Sequence, residues 1–401
     1  MARKDFVDWV RGLAVIAMVV WHTADGWLSP DVRVGQAWAS LRFVGGLAAP
    51  TFLFLAGTGA ALAARPERSS QGSTWGACAR GLEILLFGYA LRFQTWLIDA
   101  AALSHPHLAR SFIPIGLGYG ALLLSLRSAS AGRPHAPRWA LLGLLACVVG
   151  FAQVPWLAPG RLPRLLQVDV LQAIGATLAL FALGERSFGL LQRPRLAIAL
   201  GMGIAFTTEP LWALLPGVLP VPIAGYLGKF EPAAHMPPAS LFPLFPWTAY
   251  ACFGAAFGTM LRTRRAHAES FVVAAGVLGA LIALSTSEAL HGVQVAIASQ
   301  PWSVHPLRVA FRIGLVLVLL LIGWLFCANG RGSALISCGR ASLRIYWAHL
   351  LVAYGVLGHP WQKRLFMGEW AARLVLLLAL MWLLSRVGAV PAVPRKAEAT
   401  P

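Results

Sequence analysis

Four residues near the start of the chain have the types and the spacing for chemistry. The stretch DFVDWVRGLAVIAMVVWHTADGW, residues 5–27, is apolar enough to enter a bilayer, yet it carries Asp8, Arg11, His22 and Asp25. On an α-helix, Arg11 and His22 lie about 16 Å apart along the axis, and eleven residues is close to three turns, so both face one side. Asp8 and Asp25, three residues outside them, share that face. An ionisable side chain at the centre of a membrane helix costs roughly 2.5–3.5 kcal/mol on insertion scales, so such groups persist where a partner or a polar pocket receives them. Arg11 is placed to pair with Asp8 or with an anionic ligand. His22 sits deep, where a neutral imidazole can act as a general base, and Asp25, one turn on, is placed to orient it. A helix-packing histidine and a plain membrane anchor are the competing readings of His22 and Arg11.

Further candidates lie downstream. Asp169, in QVDVLQ, stands near the outer end of an apolar segment with Gln167 and Gln172 beside it. An acid at that depth needs a partner, for which His22 and Arg164 are candidates, and it could orient the base or hold an acceptor, with Gln172 as a substrate contact. His349, about nine residues from the far end of its segment, could line a substrate path or bond to a neighbouring helix. Pro50, Pro243 and Pro246 free backbone groups that must be re-satisfied or must line a cavity. Trp247 after Pro246 could shape an acceptor mouth, although an interfacial aromatic belt explains it as well. Arg80, Arg331 and Arg340 suit the geometry of phosphate, with Glu83 the expected partner of Arg80. His105 and His107 lack acidic neighbours, and no metal site is expected.

These residues need a scaffold, and the composition names its class. The 401 residues are 58% hydrophobic and 12% charged, with a mean hydropathy of +0.68; soluble domains carry about 25% charged residues. Twelve apolar segments can be marked, roughly 8–28, 43–64, 78–99, 111–127, 138–157, 165–184, 195–216, 241–262, 269–289, 308–328, 334–357 and 369–389, each near the length that crosses about 30 Å of hydrocarbon. The fold class is therefore all-α, a polytopic transmembrane helix bundle of about 12 spans, or 10–12 if 111–127 does not cross. The net charge of +18 is not a nucleic-acid signal. Its arginines fall in alternate short loops, among them Arg65 and Arg68, Arg127 and Arg133, and Arg262 to Arg265, which is the positive-inside pattern and puts both termini in the cytoplasm. Arg3 and Lys4 before an apolar run imitate a signal peptide, but no small-residue cleavage site follows, so residues 8–28 are expected to remain as the first helix. The five cysteines show no CxxC spacing and are expected to be reduced packing residues. Residues 1–390 form one expected domain, and 391–401 an expected disordered tail. The Gly/Pro-rich stretch 217–240, with Tyr226, Lys229, Glu231 and His235, is either a lid or a connector.

The order of motifs also resembles a known group. DWVRGLAVIAMVVWH has an acidic residue, two residues, Arg-Gly and an apolar run ending in His. Together with APTFLFLAGTGAAL (49–62), VDVLQAIGATLAL (168–180), FPLFPWTAYACFGAAFG (242–258) and SLRIYWAHL (342–350), it resembles the transmembrane acyltransferase superfamily. Within that group it is most similar to bacterial relatives of heparan-α-glucosaminide N-acetyltransferase. The resemblance covers residues about 5 to 350. Two departures stand out. The family's lysosomal enzyme has an amide residue where this chain has His22, with its catalytic histidine about eleven residues later, where this chain reads VRVGQ. The Arg-x10-His spacing is closer to acyltransferase-3 enzymes, and 111–157 looks like an added helical pair.

The resemblance implies acyl transfer, of acetyl in particular, from cytoplasmic acyl-CoA to a sugar or glycan amine or hydroxyl across a bacterial inner membrane. In that scheme His22 is the base, and Asp25 or Asp169 holds it. Arg11, Arg80, Arg340 and Asp8 serve the CoA donor, and His349, Trp247 and Gln172 serve the acceptor or acyl path. Acyl-CoA, a glycan acceptor and the bilayer are the implied partners, with a homodimer as an open assembly. The alternatives are an O-acyltransferase of cell-envelope polysaccharide and, in another class, a proton-coupled small-molecule transporter.

Overall fold

The computed structural model describes residues 5–64, 71–97, 109–131, 133, 135–157, 165–228, 240–296, 305–329 and 332–387. Among them the regular structure is helical: α1 (Asp5–Trp27), α2 (Gly35–Ala63), α3 (Gln71–Leu97), α4 (Ala109–Ser130), α5 (Ala136–Leu157), α6 (Val170–Phe188), α7 (Pro194–Val218), α8 (Val221–Leu227), α9 (Leu244–Thr263), α10 (Ala268–Ala296), α11 (Pro306–Ala328), α12 (Ser333–Arg340), α13 (Ser342–Ala353) and α14 (Met367–Arg386). Nine of the described helices are long and apolar enough to cross a membrane. Wide apolar faces of α5, α7, α10 and α14 point outward, with Leu141, Phe206, Leu284 and Val375 exposed, as lipid-facing surfaces do.

Two expected segments differ from the structure. The span 334–357 is broken: α12 ends at Arg340, Ala341 leaves helical geometry at φ −93° and ψ 10°, and α13 runs only to Ala353. The segment 165–184 leaves helical geometry at 166–169 and its long helix starts at Val170, where DVLQ builds a capping box. The Asp169 carboxylate accepts from the Val170 amide at 2.7 Å, and the Asp169 amide donates to Gln172 Oε1 at 3.2 Å. This satisfies two of the donors that a helix start leaves unpaired. Residues 229–239, His105, His107, Arg164, Arg331 and the tail after Val387 lie outside the described residues.

Close backbone packing sets the positions of the helices that matter. At the crossing of α1 and α12, a Cβ on Gly12 would stand 2.0 Å from the Leu335 carbonyl oxygen, and one on Gly339 1.9 Å from that of Asp8. The Arg-Gly of the first helix is thus explained: glycine lets α12 lie directly on the α1 backbone. The same device joins α2 to α9 at Gly57 and Gly254, where the Thr58 hydroxyl donates to the Gly254 carbonyl at 3.0 Å. The far end of α1 is clamped by the end of α13, the connection that follows it and the start of α14. Trp27 Nε1 donates to Ala353 O at 3.0 Å, Leu365 N donates to Trp27 O at 2.9 Å, and Trp370 Nε1 donates to Thr23 Oγ at 3.1 Å.

Candidate active site

Helices α1, α2, α3, α6, α12 and α13 enclose a cavity of about 830 Å³, within the range of small-molecule sites. Arg11, Arg80, Arg186 and Arg340 line one end of it. Phe52, Leu55, Ile174 and Leu178 make apolar walls, and Ile84, Val170 and Tyr346 close the other end. The arginine end collects the start of α1, the start of α3, the end of α6 and the α12–α13 break. Asp8, only 2% exposed, lies beneath two of these arginines: its carboxylate is 2.7 Å from Arg11 Nη1 and 3.3 Å from Arg340 Nε. Arg340 also reaches Asp5 at 2.7 Å. The buried carboxylate therefore fixes two guanidinium groups at this end of the cavity.

At the closed end the Tyr346 ring lies 5.8 Å from that of His349, which is fully buried and stacks on His22 at 5.1 Å. His22 Nδ1 and His349 Nε2 are 3.0 Å apart, and His349 Nδ1 is 2.8 Å from the Ile345 carbonyl oxygen. A carbonyl only accepts, so in the neutral pair His349 carries its hydrogen on Nδ1. Its Nε2 must then accept from His22 Nδ1–H, and His22 Nε2 is left with the lone pair. The histidine pair thus selects the tautomer that a general base needs.

The two acids expected beside His22 are engaged elsewhere. Asp25 accepts from Tyr354 Oη at 3.0 Å and pairs with Arg33 at 3.4 Å, and Lys363 Nζ lies 3.9 Å from its carboxylate. Asp169 caps α6 and pairs with Arg92 at 2.8 Å. It is His349, from 327 residues away in sequence, that meets Nδ1 of His22. Burial holds the Lys363 amine below its ordinary value, and Arg33 adds to that, while the Asp25 carboxylate opposes it. Glu83 pairs with Arg127 at 3.1 Å rather than with Arg80, which frees Arg80 to face the cavity. Gln172 is fully buried against Gly88. Trp247, 6% exposed, packs between Phe242 and Tyr250 in the core and is not among the cavity's lining residues.

Four residues of this region escape a reading of the sequence. Arg92 sits in the run LLFGYALRFQTW, where its isolation among apolar residues was the available signal. Its charge reaches His22 as well as Asp169. Tyr346 and Tyr354, on either side of His349, carry no spacing signal, and Arg186 looks like any loop arginine.

The class is that of a helical bundle of membrane type, with an arginine-lined cavity walled by Tyr346 and the His349–His22 pair lying behind that tyrosine. Residues 3–104 match the family model of heparan-alpha-glucosaminide N-acetyltransferase, catalytic. That supports an acetyltransferase-like enzyme. The matched stretch holds Asp8, Arg11, His22, Asp25, Arg80 and Arg92, while Asp169, Gln172, Arg340 and His349 lie beyond it. No curated protein matches the chain.

Proposed function

We propose that this protein is a membrane acyltransferase that moves an acetyl group from cytoplasmic acetyl-CoA to the amine or hydroxyl of a sugar or glycan presented across a bacterial inner membrane. The observation that carries this reading is the cavity. One end is lined by Arg11, Arg80, Arg186 and Arg340, and the other ends at Tyr346 beside the His349–His22 pair. Guanidinium groups match the phosphates of CoA. Apolar walls suit its pantetheine arm, and the reacting thioester would lie at the closed end. There His22 Nε2 takes the proton of the acceptor as it attacks the thioester carbonyl, and His349 holds His22 in the required tautomer. Asp25 and Asp169 fix the surrounding frame through Tyr354 and Arg92, while Asp8 sets the arginines at the donor end.

The test is acetyl-CoA turnover by purified protein with a panel of amino sugars and neutral glycans, read as free CoA released. Wild-type protein is expected to turn over with at least one acceptor and His22→Ala to be inactive while folded. Undiminished turnover in a stable His22→Ala variant removes the assigned base. Proton-coupled uptake into vesicles without acetyl-CoA binding replaces the whole reading with that of a transporter.

A further inference from the structure

Two buried N–H donors have no acceptor near the closed end of the cavity. Gln172 is fully buried, and its Oε1 accepts from the Asp169 amide, so the orientation of the side-chain amide is fixed. Its Nε2 has no hydrogen-bond partner among the described residues, and neither has the buried Nε1 of Trp347. Buried donors are nearly always paired, so two unpaired ones need an explanation.

Their placement supplies one. Ile84 on α3 and Leu343 and Tyr346 on α13 line the cavity. One turn further along α3, Gly88 receives Gln172: a Cβ there would lie 2.6 Å from its Oε1. Phe87, beside it, meets the Trp347 ring edge-on at 6.2 Å. Trp347 follows Leu343 by four residues and lies one turn beyond it on the same side of α13. The side chains that carry the two donors, from α6 and α13, therefore both pack against residues 87–88 of α3, one turn beyond the cavity-lining Ile84. Neither donor has an acceptor among the described residues, which is the arrangement that suits a ligand oxygen on which negative charge develops.

We propose that Gln172 Nε2–H and Trp347 Nε1–H hold the carbonyl oxygen of the acyl thioester and stabilise it as an oxyanion. This rests on the acyltransferase reading. The acceptor's nitrogen or oxygen forms a bond to the carbonyl carbon, the C=O electron pair moves onto the oxygen held by the two donors, and His22 takes the acceptor's proton. The carbonyl re-forms as the C–S bond breaks, and the CoA thiolate leaves with that proton.

Gln172→Glu and Trp347→Phe test it. Glutamate keeps the oxygen that accepts from the Asp169 amide, as a capping box allows, but loses the amide donor. Phenylalanine keeps a ring against Phe87 and loses the indole N–H. The readout is the isotope-edited infrared band of acetyl-CoA labelled with ¹³C at the carbonyl, bound to purified protein, together with kcat. The wild-type band is expected below that of free acetyl-CoA and to return toward it in each variant, with kcat down by roughly 10²-fold. A wild-type band at the free position, or variants with unchanged band and kcat, overturns the donor pair. Failure of labelled acetyl-CoA to bind at all overturns the acyltransferase reading and this proposal with it.

Discussion

Replacing His349 with phenylalanine separates the two roles assigned to the histidine pair. His349 is fully buried and touches the base through one bond, Nε2 to His22 Nδ1 at 3.0 Å. Phenylalanine keeps a ring against Tyr346 and His22 and removes the acceptor. Ile345 O, as the i−4 carbonyl in a helix, still has the backbone amide to bind. The lost acceptor leaves His22 Nδ1–H unsatisfied, which costs about 1–3 kcal/mol for a buried donor, or roughly 5- to 150-fold in rate if it is all felt in the transition state. A full tautomer reversal would cost more, on the order of 10⁴-fold where an imidazole base is held the wrong way round. A fall in kcat of about 10- to 100-fold is therefore expected. The KM for acetyl-CoA should not move, because the arginines assigned to CoA lie at the other end of the cavity. His349→Gln restores an oxygen that can accept from Nδ1 and should recover part of kcat. If His349→Phe keeps wild-type kcat while His22→Ala is inactive, the tautomer argument is wrong.

Other expectations concern the scaffold and the arginine end. Gly339→Ala puts a methyl group 1.9 Å from the Asp8 carbonyl oxygen; it should cost about 1–3 kcal/mol as overpacking and lower the melting temperature in detergent. Arg340→Ala should weaken acetyl-CoA binding about tenfold, equivalent to 1.4 kcal/mol, measured by calorimetry, and should affect dephospho-CoA and CoA differently if it meets the 3′-phosphate. Lys363 gives a pH test. Its amine is held below its ordinary value by burial in the folded protein, so the unfolded chain binds more protons below the unfolded amine's pKa. Stability should then rise with pH through the window between the two values, and Lys363→Met, melted at a series of alkaline pH values, should flatten that rise.

What was legible in the sequence was local. The stripe of Asp8, Arg11 and His22 follows from helical spacing alone, whereas the DVLQ cap that starts α6 at Val170 was passed over by a segment marked on hydropathy. The partner of His22 was not legible, because nothing local links it to a residue 327 positions away. Glu83 illustrates the same limit: spacing offers Arg80 at i−3, but Arg127 from another helix takes the carboxylate. Trp247 was read as a mouth residue from the Pro246 break beside it, with an interfacial belt as the alternative, and its ring packs in the core between Phe242 and Tyr250. Arg92 was hidden by the hydropathy of its surroundings, which is also what makes a partner for it necessary.

The break between α12 and α13 follows from the same angular arithmetic that made α1 readable. On a straight helix of 3.6 residues per turn, the eleven residues from Arg11 to His22 return to nearly the same face, whereas the nine from Arg340 to His349 end about half a turn away. An unbroken 334–357 helix could present its arginine or its histidine to α1, but not both. The structure presents both: Arg340 reaches Asp8 at 3.3 Å, and His349 reaches His22 at 3.0 Å. The turn at Ala341 is what reconciles them. Gly12 and Gly339 set α12 directly on the backbone of α1 at one end of the cavity, and α13, re-aimed after the turn, brings Tyr346 and His349 to the other end. A segment of spanning length was thus divided, at the loss of a continuous hydrogen-bond ladder, so that one stretch of chain could serve both ends of the stripe on α1.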